Sequence, residues 1–294
     1  NNLGLSIIDE QHRFGVHQRL TLSQKSKGTD VLVMTATPIP RTLAVTVFGD
    51  LEISSLRELP QGRTPITTHL VPVSQNQLVA RIWQRVAEEV AQGRQGFVVC
   101  PRIEPGTVEQ GQELVEIEEG QIEPASVISV FEALQKNPAL AAVRIGYLHG
   151  RLSSDEKEAT MAAFEAGEID LLVATTVIEV GVNVPNATTM VILDADHFGL
   201  SQLHQLRGRV GRGEHAGLCL LVAEVEPGST AEARLNALCN SNDGFELSEA
   251  DLEIRGEGDV LGDQQSGIRS SLRLLRVVRD ADLIQQARVF SMEI

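Results

Sequence analysis

Short apolar runs of four to six residues recur along the chain, and stretches with helical periodicity separate several of them. The runs lie within residues 5–8, 31–34, 96–100, 144–148, 170–174, 189–193 and 218–222, and residues 66–71, Ile-Thr-Thr-His-Leu-Val, are also predicted to form a strand. Such short apolar runs predict strands that are buried on both faces of a sheet. Their alternation with helices predicts an α/β fold, in which helices cover both faces of a parallel sheet.

Helical periodicity marks residues 75–92, 153–166 and 201–209 between these runs. Ser153, with Glu156 three residues later, has the pattern of a capping box at a helix start. The turn-rich stretch 60–65 predicts a boundary between a unit at 1–60 and a unit at 61–224. Beyond residue 224 the strand pattern stops, and helices are predicted at 230–239, 247–254 and 272–290, within a third unit at 225–294.

The composition is that of a globular protein without a membrane span. The 294 residues suffice for about two compact domains, and 42% of them are hydrophobic. No apolar run approaches the ~20 residues that a membrane-spanning helix needs. Cys100, Cys219 and Cys239 are widely spaced, which predicts reduced, buried thiols in a cytoplasmic protein and no metal or redox site.

The net charge of −15 argues against a broadly basic surface for nucleic acid. Residues 104–123, which we name the acidic insert, contain seven Glu and neither Lys nor Arg, and so carry almost half of this charge. The insert could be a solvated hairpin or a partner site, and solvation is the simpler interpretation. A contact with DNA would therefore have to be a local basic groove.

Two adjacent acids, Asp9 and Glu10, directly follow the first apolar run. At a strand end, Asp9 would hold a hydrated Mg²⁺ that bridges phosphate oxygens, and Glu10 would orient or deprotonate the attacking water. The alternative is a solvated acidic turn. The strand before the pair and His12 after it favour the catalytic interpretation.

Three arginines, Arg207, Arg209 and Arg212, are separated by glycines within residues 202–213. Glycine permits close backbone approach, and a guanidinium fork suits phosphate oxygens, including the γ-phosphate in phosphoryl transfer. The alternative is an arginine-rich turn that pairs with the many acids of the protein.

Polar side chains also follow several other predicted strands. Thr175 and Thr176 offer hydroxyls for a DNA phosphate at a strand end, where open α/β sheets commonly bind ligands. Arg102, His149 and Arg151 also follow strands and are candidate phosphate contacts, with a structural role as the equal alternative.

The order of these motifs resembles that of a known family. Residues 9–15, Asp-Glu-Gln-His-Arg-Phe-Gly, resemble the Walker B segment of superfamily 2 helicases, and more narrowly that of the RecG family of bacterial branch-migration helicases. Residues 35–43 resemble the next motif of that family, which couples hydrolysis to movement, and residues 49–51 and 58–63 continue the match. The resemblance implies a complete second RecA-like lobe, a partial first lobe and a C-terminal helical translocation element.

The resemblance also implies residue roles. Catalysis would depend on Asp9, Glu10, Arg209 and Arg212, and Asp9 would also bind the metal. ATP would be contacted by Gln205, Gly181 and Asn183, and hydrolysis would be coupled to movement by His12, Thr35, Thr37 and Arg41. The tracked DNA strand would be contacted by Thr175 and Thr176, and translocation would use Arg255 and Gln265. The family often has Asp where Asn183 stands, which weakens the ribose contact. ATP and Mg²⁺ are the implied cofactors.

The implied activity is ATP-driven remodelling of branched double-stranded DNA, at stalled forks and Holliday junctions, by a monomer with a single-stranded-DNA-binding protein as a possible partner. The phosphate loop GxxxxGK[ST] is absent from the sequence and would lie upstream of Asn1, so the chain alone is expected not to turn over ATP. A transcription-repair coupling factor is the nearest alternative, although Gln11 and Glu214 look more like the RecG family. A non-catalytic DNA-binding module is the alternative from another class.

Overall fold

The computed structural model describes residues 4–9, 30–35, 54–56, 64–102, 125–175, 184–255 and 290. The chain divides into two compact units, residues 1–39 and residues 40–294. In the first unit, strands β1 (Leu5–Asp9) and β2 (Asp30–Met34) pair in parallel, with Ile7 opposite Leu32.

Strands β1 and β2 were expected to be buried on both faces, and this expectation is wrong. Leu5, Ile7, Val31 and Leu32 are each about half exposed. Among the described residues of this unit, β1 and β2 pair with each other, and these four side chains remain partly accessible to solvent. The sequence pattern is typical of a buried strand, but burial itself depends on what packs against the strand.

The second unit contains a six-stranded parallel sheet, as the sequence predicts. The strands are β3 (Ile66–Pro72), β4 (Gln95–Val99), β5 (Ile145–Leu148), β6 (Leu171–Ala174), β7 (Ala187–Leu193) and β8 (Gly217–Ala223), in the order β3-β8-β7-β4-β6-β5. All five neighbouring pairs are parallel. Because the strands are parallel, all their carboxyl ends lie at one edge of the sheet and all their amino ends at the other.

Helices cover both faces of this sheet. They are α1 (Asn76–Ala91), α2 (Val127–Gln135), α3 (Ser154–Glu165), α4 (Leu200–Arg207), α5 (Thr230–Asn240) and α6 (Gly244–Arg255), with short 3₁₀ turns at Pro138–Leu140 and Ala195–His197. The predicted capping box is confirmed: Glu156 N donates to Ser153 Oγ, and Ser153 N donates to the Glu156 carboxylate. Helix α2 was not predicted. The predicted helix at 272–290 lies outside the described residues, apart from residue 290.

Alternate side chains of β4 enter two apolar clusters, one on each face. Phe97 packs with Phe164 on one face, at a ring separation of 4.9 Å, and Val98 packs into the other cluster with Val86 and Leu134. Gln95 at the start of β4 donates to the carbonyls of Phe164 and Ile169, which satisfies its buried amide. Among the described residues, no helix is long and apolar enough to cross a membrane.

Candidate functional site

Three of the predicted DNA contacts lie at the carboxyl edge of the sheet. Arg102 follows β4, His149 follows β5 and Thr175 follows β6. These strands are neighbours in the order β4-β6-β5, and their ends remain paired, because Cys100 N donates to Ala174 O and Thr175 N to Leu148 O. The structure therefore brings these three strand-end positions together.

Burial differs among these residues. Arg102, His149 and Thr175 are at most 8% exposed, whereas Arg151 is exposed. The His149 ring stacks on Tyr147, which packs against Phe131, so His149 belongs to an aromatic stack as well. Arg151 is thus the guanidinium at this edge that a phosphate in solution can reach directly.

An acid that the sequence motifs did not single out lies at the same edge. Asp194 follows β7 in the left-handed conformation, with φ 47°, and its Oδ2 accepts from Ala125 N. Burial raises the pKa of Asp194 above its usual range, and the Arg102 guanidinium partly opposes this shift. Residues 194–197, Asp-Ala-Asp-His, form an acidic strand end followed by His, which is the signal that also singled out Asp9.

The neighbouring His197 is protonated more easily than usual. Its Nδ1 lies 3.4 Å from the Asp196 carboxylate, and Asp196 raises the pKa of His197.

Arg102 pairs with Ser126 in an isolated parallel bridge, so the two ends of the segment that contains the acidic insert lie side by side at this edge. The carboxyl edge of the sheet therefore contains both cationic side chains and acids that are buried or paired, and a mixture of this kind agrees with the negative overall charge.

The arginine turn, which we define as residues 208–213, lies at the opposite, amino edge of the sheet. Helix α4 ends at Arg207, and Gly208 N and Arg209 N continue its hydrogen bonding to His204 O and Leu206 O. Gly211 N then donates to the carbonyl of Ala187, the first residue of β7. The predicted ATP-contacting arginines and the predicted DNA contacts thus lie at opposite edges.

Two glycines of the turn, Gly211 and Gly213, are required by its packing. Gly211 has φ +67°, and a Cβ there would lie 3.2 Å from the backbone of Gly217. A Cβ on Gly213 would lie 2.5 Å from the carbonyl oxygen of Pro185. The sequence pattern suggested that these glycines permit close approach by a ligand, whereas the observed close approach is made by the chain itself.

The three arginines of this region have different environments. Arg207 is 2% exposed, Arg209 is half-buried, and Arg212 is exposed while its Nε donates to Gly208 O at 2.9 Å. Gln205 is half-buried on α4. Arg209 and Arg212 can therefore face a ligand, while Arg207 is enclosed by protein and its role is structural.

Two buried or half-buried arginines were missed as positioning residues, and both hold helix α5. Arg207 Nη1 donates to the carbonyls of Leu238 and Ser241, and Arg234 Nη2 donates to Asp196 O at 2.8 Å. Nothing in a single sequence distinguishes a guanidinium that binds carbonyls from one that binds phosphate, since both need only acceptor oxygens.

The first unit shows one further pair of predicted residues. Asp9 ends β1, and Thr35 follows β2, whose last residue Met34 is in register with Asp9. Both therefore lie at the carboxyl edge of this small sheet. Among the described residues there is no group of three or more metal-binding side chains, so the proposed Mg²⁺ site depends on Asp9 and on residues outside that part of the chain.

The remaining predicted site residues lie outside the described residues. They are Glu10, His12, Thr37, Arg41, Thr176, Gly181, Asn183 and Gln265. Arg255 is described only as the last residue of α6.

Comparisons with known proteins identify the two parts of the second unit. Residues 79–214 match the helicase conserved C-terminal domain, and residues 241–294 match the C-terminal part of domain 3 of the ATP-dependent DNA helicase RecG. The chain is 51% identical, over its whole length, to the ATP-dependent DNA helicase RecG of Mycobacterium tuberculosis, 52% identical to that of Mycobacterium leprae and 46% identical to that of Staphylococcus aureus. It spans 39–41% of the length of these relatives.

Solved structures of helicases also resemble this chain. A RecG bound to a three-way DNA junction superposes with a TM-score of 0.67 and 40% identity, over 97% of this chain and 34% of that one. The Mycobacterium smegmatis helicase Lhr, bound to single-stranded DNA and AMP-PNP, superposes with a TM-score of 0.55 at 14% identity, over 82% of this chain and 31% of that one. The second likeness shows the fold alone, which is that of a RecA-like helicase lobe.

Proposed function

Since this chain belongs to the RecG family of ATP-dependent DNA helicases, we propose that it forms the second motor lobe, part of the first lobe and the translocation element of an enzyme that remodels branched DNA. The proposed limits are residues 1–60, 61–224 and 225–294 for the partial first lobe, the second lobe and the translocation element. Stalled forks and Holliday junctions are the proposed substrates, and the enzyme is proposed to act as a cytoplasmic monomer.

The observation that carries this proposal is the arginine turn. Gly211 packs the turn against the starts of β7 and β8, and Gly213 packs it against Pro185, so packing within the lobe defines its backbone conformation. Arg209 and Arg212 project from this fixed turn with half-buried and exposed side chains. Preorganised cations are what transfer of a γ-phosphoryl group needs, because the charge that develops is spread over its oxygens.

ATP and Mg²⁺ are the proposed cofactors. Asp9, at the end of β1, has the carboxylate chemistry that a hard divalent cation prefers, and Glu10 is the next residue. We propose that Asp9 holds the cation, that Glu10 orients the attacking water, and that Gln205, Gly181 and Asn183 contact the nucleotide. His12, Thr35, Thr37 and Arg41 are proposed to couple hydrolysis to movement.

The carboxyl edge of the second unit is the proposed DNA surface. Arg151 is exposed there, and Thr175, Thr176, Arg102 and His149 are proposed to contact or support the tracked strand. The salt dependence of DNA binding grows with the number of phosphates that cations neutralise, so the few cations proposed at this edge should give only a moderate loss of affinity as salt is added. The residues proposed to contact DNA and those proposed to contact ATP lie at opposite edges, so one lobe would contact both ligands at the same time.

The test uses the protein translated from the complete reading frame, called here the complete protein. Its ATP hydrolysis should be stimulated more by a three-way DNA junction than by linear duplex. The Glu10→Gln variant should still bind ATP and DNA but lose hydrolysis, because the attacking water is no longer activated. Absence of any junction-stimulated hydrolysis in the wild type would refute the proposed function.

A second arm concerns the arginine turn. Arg209→Ala should lower turnover by about 10²- to 10³-fold, the usual effect of removing one charge-stabilising donor, while the melting temperature stays unchanged. Arg81→Ala, which removes an exposed ion pair with Glu88, is the matched control and should leave turnover unchanged. If Arg209→Ala instead lowers the melting temperature while each folded molecule keeps full turnover, Arg209 has a structural role.

A further inference from the structure

A β-turn at residues 149–152 joins the end of β5 to the start of α3, at the carboxyl edge of the sheet. Leu152 N donates to His149 O at 3.2 Å, which closes the turn and leaves Gly150 and Arg151 as its two central residues. Both ends of the turn are anchored, because the His149 ring stacks on Tyr147, with centroids 5.7 Å apart, and Leu152 packs against an apolar cluster of the sheet. These anchors leave the orientation of the central peptide open.

Glycine at the first central position makes more than one orientation of that peptide accessible. Because Gly150 can take either sign of φ, a type I turn and a type II′ turn are both compatible with the same two ends. The two turns direct the central carbonyl differently, and this peptide leads into the exposed residue Arg151. A contact to the Gly150 carbonyl would therefore select one turn and one placement of Arg151.

Lys157 makes that contact from the first turn of α3. Its Nζ donates to Gly150 O, the carbonyl of the central peptide, at 2.6 Å. The backbone of Lys157 is fixed as well, since its N donates to Ser153 O at 3.0 Å and Ser153 caps α3 together with Glu156. Lys157 is half-buried, whereas Arg151 is exposed. The ammonium is thus bonded within the protein, and the guanidinium is the cation that faces solvent.

We propose that Lys157 is a positioning residue for DNA binding, which orients the 149–152 turn so that Arg151 meets a phosphate of the tracked strand. The inference rests on the proposed function, because it needs the carboxyl edge to bind DNA. Direct contact of Lys157 with a phosphate is the alternative, since an ammonium has three donors and the Gly150 carbonyl takes one. The two roles differ in whether the effect of Lys157 depends on Arg151, and in the number of phosphates that are neutralised.

A double-mutant cycle on the affinity of the complete protein for a three-way DNA junction tests this dependence. Arg151→Ala should lower the affinity about tenfold, the usual loss for one hydrogen bond to a charged group. Lys157→Met keeps the length of the side chain but removes its donors, and should lower the affinity about threefold, because the turn must then be ordered on binding. In the Arg151→Ala background, Lys157→Met should have no further effect, since the residue that it positions is missing.

The salt dependence of the same affinity tests the number of phosphate contacts. Arg151→Ala should reduce the slope of log affinity against log salt by about one, whereas Lys157→Met should leave the slope unchanged. Lys157→Arg should keep the affinity within about twofold of wild type, because a guanidinium can still donate to Gly150 O. The control for loss of one charge is Lys136→Met, at an exposed residue beyond the far end of α2, which should change neither quantity.

The ATPase assay gives a third readout. Lys157→Met should raise about threefold the junction concentration that half-stimulates ATP hydrolysis and leave kcat unchanged, because saturating DNA restores the bound state. Lys157→Gln, which also cannot span the same distance, replaces Lys157→Met in every assay if the latter does not fold.

Three outcomes would overturn the positioning role while leaving the proposed function in place. They are an equal loss of affinity from Lys157→Met in both backgrounds, a salt slope that also falls by about one in Lys157→Met, and no loss of affinity in Arg151→Ala. A wild type whose ATP hydrolysis does not respond to junction DNA would instead overturn the proposed function, and this inference with it.

Discussion

Gly211→Ala is the substitution that tests the geometry of the arginine turn most directly. Gly211 has φ +67°, a region that costs an L-residue with a side chain about 1–2 kcal/mol. Alanine also restricts the unfolded chain, which returns about 0.4–1 kcal/mol. Backbone strain alone should therefore lower the free energy of unfolding by only about 1 kcal/mol.

The surroundings of Gly211 add a second cost. The new Cβ would lie 3.2 Å from both Cα and N of Gly217 and 3.2 Å from Ile66 Cγ1. The isoleucine side chain can shift, but the Gly217 backbone starts β8 and is paired within the sheet. Such overpacking costs about 1–3 kcal/mol, so the expected total loss is about 2–4 kcal/mol.

Two other glycines supply matched controls. Gly167, with φ +74°, and Gly228, with φ +79°, have similar backbone conformations, but a Cβ added at either would meet no atom within 4 Å. Urea unfolding, followed by the fluorescence of the single tryptophan Trp83 in α1, measures all three alanine variants in the same way. In the complete protein, Gly211→Ala should also lower ATP turnover, because Arg209 and Arg212 move with the turn, whereas Gly167→Ala should not.

One result would refute this account of the packing. If Gly211→Ala loses no more free energy of unfolding than Gly167→Ala and Gly228→Ala, then the turn is not held against β8 as described. Unchanged ATP turnover in a destabilised Gly211→Ala would show that the placement of the two arginines does not depend on this contact.

Three further predictions concern stability. Glu89 is buried and bonded to Arg85, Arg94 and the Thr188 hydroxyl, so Glu89→Ala should lower the free energy of unfolding by about 2–4 kcal/mol. Glu88→Ala, at the exposed neighbour, should lower it much less, and urea unfolding measures both variants. Burial raises the pKa of Asp194 in the folded protein, so its stabilising contribution is present below the pKa of the unfolded chain and is lost as pH rises through the pKa of the folded protein. Asp194→Asn should therefore raise the free energy of unfolding at pH 7, and by a smaller amount near pH 4. Ser153→Ala removes the capping box and should cost about 1 kcal/mol in the same assay.

Most strands of the sheet were predictable because they are largely apolar, and this pattern can be recognised without knowing which residues pack against it. Helix α2, with the sequence VISVFEALQ, was not predicted, since nine residues with an apolar start do not separate helix from strand by periodicity. Strands β1 and β2 have a similar apolar pattern to β4, yet Leu5, Ile7, Val31 and Leu32 are about half exposed. Local sequence was therefore enough to predict most strands and helices, whereas predicting which side chains are buried requires the contacts between those elements.

The candidate site was predicted in part, for a similar reason. In the sequence, Arg207, Arg209 and Arg212 form one predicted phosphate-binding group, because residue type and spacing are the only information there. The structure separates them by burial: Arg207 bonds to the carbonyls of α5, while Arg209 and Arg212 are accessible enough to meet a ligand. Asp194 was missed although it has the same strand-end signal as Asp9, since no motif drew attention to it.

The segment that links β6 to β7 begins at one edge of the sheet and ends at the other. Thr175 follows β6 at the carboxyl edge, and Pro185 lies at the amino edge, where Pro185 and Ala187 contact Gly213 and Gly211 of the arginine turn. Residues 176–183, which include the proposed contacts Thr176, Gly181 and Asn183, span this interval in sequence. If the proposed function holds, we expect a displacement of the turn by nucleotide to be passed through Pro185, which lies against Gly213. Loosening this contact with Pro185→Gly in the complete protein should then lower the amount of DNA moved per ATP hydrolysed, and an unchanged ratio would contradict this connection.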